Sequence, residues 1–578
     1  MAPDNEKRKR YDRQLRLWGE HGQAAMEDCS VCLLNGTGAG TEALKNLVLP
    51  GIGSFTVVDG AVVTEADLGN NFFVEQRDLR TSRAACVTRL LQELNEHVSG
   101  AFVAEDIAQV LSSRPDFLHS FGLVIATQLP SRELCEVARI CADRSIPLIA
   151  LHVHGFFGYL RLALPEHVVV ESHPAHAMLD LRVLAPPAEL RSLVADRFAS
   201  LAALPDAEFS HVPYVVLLLH AVEEWSAAHA GAHPSSYAQK KEVRALLETY
   251  RRPHLLSDTN IEEALAAANT ALSRPEPSRA LSSLLASARG RLSGLAAEVH
   301  AATARGEEAP AGQRTLLSFW LMAASLQAYV AGEGGGLLPA SGRAALPHGA
   351  ARSHPLQQLP RLVPLGALPD MTADTATYVQ LQELYARQAR ADVAAVAAHA
   401  AHIASLESLP SDLAPLAELT RFCKNAPHLA VLRFRSLEEE YAADAPVAAE
   451  LTRALAADDP SCAILYILLR ASQAFAAQRG HAPGFADADV ESDMPALRLC
   501  VAEQLKRLGL NGERPCPVSD DWVAEYCRWG GAETHNIASV LGGVAAQEAI
   551  KAVTRQYVPL NNTFLFNGSN GVTAVYEL

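Results

Sequence analysis

No apolar run in the 578-residue chain reaches the ~18 residues needed to cross a bilayer. The opening stretch MAPDNEKRKR holds no apolar core of a signal peptide. Both absences predict a soluble intracellular protein with no membrane partner; its expected location is cytoplasmic and nuclear. Positive charge is scarce too. The formal net charge is −16, whereas binding a phosphate backbone needs a basic footprint, so no nucleic acid is expected. The short basic cluster Lys7 to Arg10 reads as a solvated arm ahead of a helix or as a nuclear address. Ten cysteines scattered over this length do not make a disulfide scaffold. Cys29 and Cys32 form a C-x-x-C, but no second pair follows at zinc spacing, and strand residues three apart face opposite sides. Buried thiols and no metal are expected.

What is present is a globular composition, 49% apolar, on a chain long enough for several cores. It is organised around Tyr11 to Gly60: an amphipathic helix, an apolar strand (Ser30 to Asn35), a loop with Gly36, Gly38 and Gly40, a helix from Thr41, and a second strand closing on Asp59. Glycines between a strand and a helix let backbone N–H groups approach a phosphate, and an acidic residue ending the next strand commonly takes a ribose hydroxyl. Alone, such a loop is a weak signal, because it also serves close helix packing.

Further strands are predicted at Gly122 to Ala126 and Pro147 to Val153, with helices over Ser82 to Val98 and Ser131 to Asp143. The alternation means a mostly parallel sheet with helices on both faces. His152 and His154 share a strand face without a third ligand at fitting spacing, and His173 and His176 read as loop residues. From about Phe198 to Asp487 the text is helical. Tyr378, Leu381, Tyr385, Ala389, Val393, Val396, Ala400 and Ile403 make one apolar stripe. Residues 331–370, rich in Gly, Pro, Ala and Arg, read as a flexible loop. The end returns to the first style, with a helix over Asn536 to Gln556, whose Gly542, Gly543, Ala545 and Ala546 permit close packing, and a strand Thr563 to Asn567.

The run Tyr11-Asp12-Arg13-Gln14-Leu15-Arg16-Leu17-Trp18-Gly19, with Lys45-Asn46-Leu47 and Leu68-Gly69-Asn70-Asn71-Phe72-Phe73, resembles the adenylation domains of ubiquitin-like-protein activating enzymes. Among them it is similar to the non-catalytic regulatory subunits of the neddylation pathway, as is Arg435-Ser436-Leu437-Glu438-Glu439-Glu440-Tyr441. The resemblance implies an α/β, Rossmann-like ThiF/MoeB-type adenylation domain interrupted by a large, mostly α-helical insertion. Residues 1–170 would be its first part, 171–487 the insertion, and 488–578 its second part.

Adenylation needs ATP, magnesium and positive charge at the transferring phosphorus. Set against the active members' pattern, two loop glycines are replaced by Asn35 and Thr37. The catalytic arginine falls on Asn70, the lysine on Arg83, and the metal-binding aspartate on Thr127 or Gln128. The resemblance therefore implies no cofactor or metal on this chain: Gly36, Gly38, Gly40 and Asp59 form a degenerate loop, and ATP and magnesium belong to the catalytic partner. Thioester capture needs a thiolate. Cys423 and Cys462 lie in Leu-rich helical text and read as structural, although Lys424 beside Cys423 would favour a thiolate.

The resemblance further implies that Arg13 acts in trans on the partner's ATP phosphates, whereas Arg16 reads as solvated. It places contacts to the catalytic subunit at His211 and at Leu368, Pro369, Asp370, Met371 and Tyr378, and implies the modifier and a conjugating enzyme as further partners. Other readings are the matching subunit of the sumoylation enzyme, a self-sufficient adenylyltransferase, a dinucleotide-dependent enzyme, and a scaffold in which Arg13 is inert.

Overall fold

A computed structural model describes every residue except 1–7, 175–179, 253, 255–258, 342–367, 443–444 and 511–515. The chain divides into two compact units. The first comprises Met1–Val169, Arg305–Thr315 and Ala430–Leu578, and the second comprises Val170–Ala304 and Leu316–Leu429.

The first unit is built on an eight-stranded sheet. In chain order the strands are β1 (Ser30–Leu34), β2 (Ser54–Val58), β3 (Ser99–Val103), β4 (Leu123–Thr127), β5 (Leu148–His154), β6 (Phe157–Ala163), a small side pair of β7 (His167–Val169) with β8 (Ala430–Leu432), then β9 (Thr563–Asn567) and β10 (Val572–Tyr576). The order across the large sheet is β10-β9-β6-β5-β4-β1-β2-β3. From β3 to β5 neighbours run parallel, and β6, β9 and β10 join antiparallel. The expected mostly parallel sheet is thus present, with an antiparallel edge that the C-terminal segment completes.

Alternation along the strands supplies both faces with core. Val31, Leu33, Leu123 and Ile125 belong to one apolar cluster, and Cys32, Leu34, Val124 and Ala126 to another. Cys29 goes with the first and Cys32 with the second, so the C-x-x-C thiols face apart as the strand period demands. Seven helices of this unit matter below: α1 (Asp12–Glu27), α2 (Gly38–Val48), α3 (Arg83–Gln92), α4 (Ser131–Asp143), α5 (Ser461–Arg479), α6 (Asp520–Arg528) and α7 (His535–Thr554).

Three boundaries differ from expectation for local reasons. Helix α2 starts at Gly38, within the glycine loop, rather than at Thr41. Helix α3 stops at Gln92 rather than Val98, because the Asn95 amide is committed to Tyr11 Oη at 3.0 Å and to the Val48 carbonyl at 2.8 Å. Residues 430–487, which composition groups with the helical insertion, cluster with the sheet, since α5 buries Leu465, Leu468 and Phe475 in one core with Phe157, Tyr159 and Leu565.

In the second unit the helix Tyr214–Ala228 packs with Tyr237–Thr249 and Thr259–Ala271 around Trp225, and Leu381 and Tyr385 of the helix Leu368–Leu406 join that core. The stripe read from the sequence is buried at Leu381, Tyr385, Val393, Val396, Ala400 and Ile403. Most of the expected loop 331–370, including Arg343 to Gly366, lies outside the described residues, as does His176. No described helix is long and apolar enough to cross a membrane.

Candidate functional site

Strand order reverses between β1 and β4, and open α/β sheets bind ligands beyond the carboxyl ends of the strands at such a point. A cleft of about 1160 Å³ opens there, lined among others by Asn35, Thr37, Asn70, Arg83, Gln128, His152, His154 and Glu533.

Each residue singled out in the sequence has a definite place. Asn35 takes a left-handed conformation, φ 68°, which asparagine tolerates better than most, and its amide donates to the Thr127 carbonyl at 2.9 Å. Thr127 is fully buried, its hydroxyl donating to the Asn35 carbonyl at 2.8 Å. Of the two positions for the missing carboxylate, Gln128 is the one on the cleft, and its side chain bonds back to Val153 at 2.7 and 3.3 Å.

Asp59 is buried and serves the fold. It accepts from the Gly36 and Ala61 N–H groups, both at 2.8 Å, and from Arg83 Nε at 2.7 Å. Arg83 also donates to Asp67 at 3.0 Å. Burial works against the Arg83 charge, but the two carboxylates outweigh it and hold its pKa above the ordinary value. Its guanidinium is therefore tied to its own chain. Asn70 supplies no cation; its carbonyl faces His535 Nδ1 at 3.0 Å, and its Oδ1 is buried without a partner among the described residues.

The sequence reading missed Glu533. Its carboxylate accepts the Gly38 N–H at 3.0 Å, the Ala39 N–H at 2.7 Å and the Thr37 hydroxyl at 3.1 Å. It thereby caps α2, whose N-cap residue Thr37 offers no side-chain cap of its own. Burial raises the Glu533 carboxyl above its ordinary pKa, outweighing the downward pull of the Ala39 and Gly38 N–H groups, the Thr37 hydroxyl and Arg83. No sequence signal marks it, because its partners lie 494 to 496 positions away.

His154 and His152 sit at the floor. The His154 ring stacks on Tyr526 at 3.8 Å and its Nε2 meets the Tyr526 carbonyl at 3.1 Å. Burial brings the His152 pKa down to about 3 and that of His154 to about 4, so both are neutral. Among the described residues, ligand-bearing atoms within 4.8 Å of one another occur at His481, Asp489 and Asp493. There Asp493 already accepts the Gly484 N–H at 3.0 Å, and His481 Nδ1 faces the Ala482 carbonyl at 2.9 Å.

The cysteine candidates are not poised as nucleophiles. Cys423 and Cys462 are both 1% exposed. Burial raises the Cys423 thiol to about 12 and the Cys462 thiol to about 11, so the activation by Lys424 considered from sequence does not prevail.

Helix α1 presents Arg13 to solvent, with no ion pair or hydrogen bond among the described residues. Its position is fixed by buried neighbours in its own run: Tyr11, 2% exposed, seats against Gly51, and the Trp18 indole donates to Gln23 at 3.1 Å. Arg16 pairs with Asp12 at 2.9 Å on the exposed face. In the second unit His211 is exposed, and Pro213 and Tyr378 line one small apolar pocket with Tyr214 and Leu181. Leu368, Pro369, Asp370 and Met371 begin the helix Leu368–Leu406; their side chains lie outside the described residues.

Sheet topology, the cleft at the switch point and a glycine loop leading into α2 define a doubly wound α/β domain in which own-chain carboxylates hold the N–H groups of Gly36, Gly38 and Ala39. The chain belongs to the ThiF family, which matches residues 11–574. Over almost its whole length it is similar to curated proteins named NEDD8-activating enzyme E1 regulatory subunit. That of Xenopus laevis is 37% identical, covering 99% of each chain. That of Danio rerio is 37% identical over 100% of this chain and 99% of its own. The Arabidopsis thaliana protein of that name, AXR1, is 36% identical over 99% of this chain and 97% of its own.

Proposed function

We propose that this chain is the regulatory subunit of a heterodimeric, ATP-dependent activating enzyme for the ubiquitin-like modifier of the neddylation pathway, and that it neither adenylates nor carries the thioester itself. The whole-length likeness to NEDD8-activating regulatory subunits favours this pathway over sumoylation. The observation that carries the non-catalytic reading is the cleft. Asn70 and either Thr127 or Gln128, which the family pattern sets at the positions of a cation and a metal-binding carboxylate, carry no charge, and Arg83 is held between Asp59 and Asp67. Phosphoryl chemistry relies on preorganised positive charge that stabilises the transition state; of the two arginines lining the cleft Arg83 is already paired with carboxylates, which leaves the exposed Arg132.

Arg13 supplies such charge to the catalytic partner's ATP site. An exposed guanidinium on a helix fixed by Tyr11 and Trp18 can cross an interface at little entropic cost, because the helix is ordered beforehand. The catalytic subunit contacts the His211 to Pro213 and Leu368 to Tyr378 segments and brings ATP and magnesium; together the two subunits hold the modifier and pass it to a conjugating enzyme.

The test is thioester formation with ATP, magnesium and purified modifier, using this chain alone, the partner alone, and both. The expected result is a reducible conjugate only in the mixture and only on the partner. A conjugate on this chain alone would overturn the reading. In the assembled pair, Arg13→Ala lowers ATP–pyrophosphate exchange ~10²-fold, the scale of losing one transition-state donor, while Arg16→Ala leaves it within about twofold, as for exposed surface charge. Unchanged exchange in Arg13→Ala would remove the trans role.

A further inference from the structure

Arg13 leaves the surface from a short helical stretch rather than from a long helix. Gly19, at φ 71° and ψ 176°, interrupts α1, so residues 12–18 stand apart, with Tyr11 at one end and Trp18 at the other. Asp12, Arg13, Arg16 and Leu17 on this stretch are exposed and contribute little to the core. We propose that Asn95 and Gln556 are positioning residues for Arg13: each grips one end of the stretch, and together they fix the direction in which the guanidinium points. The inference rests on the trans role of Arg13 given above.

Both grips are made by buried amides whose donors are fully used. At the first end Asn95, 0% exposed, donates from Nδ2 to Tyr11 Oη at 3.0 Å and to the Val48 carbonyl at 2.8 Å. Tyr11 is pressed there against Gly51, where a Cβ would lie 2.6 Å from its Oη. The Tyr11 carbonyl accepts the Leu15 N–H at 2.9 Å and so starts the helical turn. At the second end Gln556, 1% exposed, donates from Nε2 to the Trp18 carbonyl at 2.8 Å and to His21 Nε2 at 2.9 Å. The Trp18 indole donates to Gln23, whose own amide donates to the Pro50 carbonyl at 3.0 Å.

Direction is what these bonds add. Burial of Tyr11 and Trp18 holds the stretch to the domain, but apolar contact is non-directional, and a helix that slips by one residue turns its side chains by about 100°. Hydrogen bonds weaken steeply as they bend, so two amides that lie 84 and 538 positions from their partners select one rotation and one register. Because the Arg13 side chain is exposed, its aim is that of the backbone beneath it. A donor directed at charge developing across an interface depends on that aim, since a misplacement of ~1 Å can cost ~10²-fold in rate.

The experiment is a double-mutant cycle on ATP–pyrophosphate exchange by the assembled pair. Asn95→Ala, Gln556→Leu and the gentler Tyr11→Phe, which removes only the hydroxyl, are each made with Arg13 intact and with Arg13→Ala, and urea melts of the chain confirm that every variant is folded. With Arg13 intact, kcat is expected to fall about tenfold for Asn95→Ala and Gln556→Leu and about threefold for Tyr11→Phe, with KM for ATP within about twofold. In the Arg13→Ala background the same substitutions should change kcat by less than about twofold, because their effect passes through a side chain that is no longer there. Equal losses in both backgrounds would show that the amides serve the fold alone, and undiminished kcat in folded variants would show that Arg13 finds its place without them. Either result overturns the positioning role and leaves the trans role standing. Wild-type exchange in Arg13→Ala overturns the trans role and the positioning role with it. Hydrogen exchange on the chain without its partner reads the placement directly. The Leu15 amide is expected to be slow in the wild type and at least about tenfold faster in Asn95→Ala; exchange at the rate of an open turn in the wild type would mean that the stretch is not ordered beforehand and would overturn the proposal.

Discussion

A charge pair without water around it persists only where every lone pair and proton finds a partner. Arg161 and Glu440 meet that condition at 2.7 Å with both side chains 0% exposed. Glu440 also accepts from Tyr466 Oη at 2.8 Å and Tyr159 Oη at 3.2 Å, and Arg161 donates to the carbonyls of Leu162, Arg435 and Leu578. The Arg-Ser-Leu-Glu-Glu-Glu-Tyr run was legible as a helix start, but nothing in three successive glutamates tells which one turns inward. Glu440→Ala leaves the guanidinium buried and unpaired, so the unfolding free energy in urea falls by ~3–5 kcal/mol. Exposed Glu438→Ala stays within about 0.5 kcal/mol. The thiols give a second residue-scale prediction. Cys516 is exposed whereas Cys423 and Cys462 are buried, and the thiolate is the reacting form. Mass mapping after brief iodoacetamide treatment of the native chain at neutral pH should find Cys516 modified and the other two untouched; rapid labelling of Cys423 would contradict its burial.

At the scale of elements, α2 and α7 cross so closely that glycine decides the distance. A Cβ on Gly542 would lie 2.7 Å from the Ala43 nitrogen and from the Glu42 Cβ, while one on Gly543 meets nothing within 4 Å. Gly542→Ala therefore pushes two helices apart and costs ~1–3 kcal/mol in thermal or urea unfolding. Gly543→Ala only removes backbone freedom from the unfolded chain and gains up to ~1 kcal/mol. Equal effects would show that the crossing is looser than described. The small-residue run was readable in the sequence, yet which glycine faces the partner helix was not, since a 3.6-residue period rotates neighbours by 100°. The same limit governs strands. The central strands β1, β4 and β5 were found because burial on both faces makes them continuous apolar runs. Edge strand β3, Ser99–Val103, is largely exposed, carries little of that signal, and went unread. The glycine loop pointed to the right corner of the sheet, whereas Glu533, which fills that corner, follows Gly530-Gly531-Ala532 in a stretch with no periodicity; only the closed fold joins it to α2.

For the molecule as a whole, buried neutral histidines set the acid side of its stability. Burial holds the His154 pKa near 4 despite the Tyr526 carbonyl, which raises it; His167 is likewise held down to about 4 by burial, with Arg555 adding to the effect. In the unfolded chain both titrate near the ordinary 6.5. Between those values the unfolded state binds more protons than the native one, so stability rises with pH there. Their contribution is intact above about pH 6.5 and is lost progressively as pH falls toward 4, on the order of 2 kcal/mol for each group by pH 5. His167 gives the cleaner test: it is 4% exposed and its Nε2 has no hydrogen-bond partner among the described residues. Replacing it by an apolar residue removes a buried polar atom without stranding a donor or acceptor. Urea melts of His167→Leu should match or exceed wild-type stability at pH 7.5 and should lose less of it between pH 6.5 and 5, the difference in slope corresponding to about one proton per molecule. Parallel pH profiles would mean that His167 protonates in the native state as readily as in the unfolded chain, and that its burial carries no electrostatic cost.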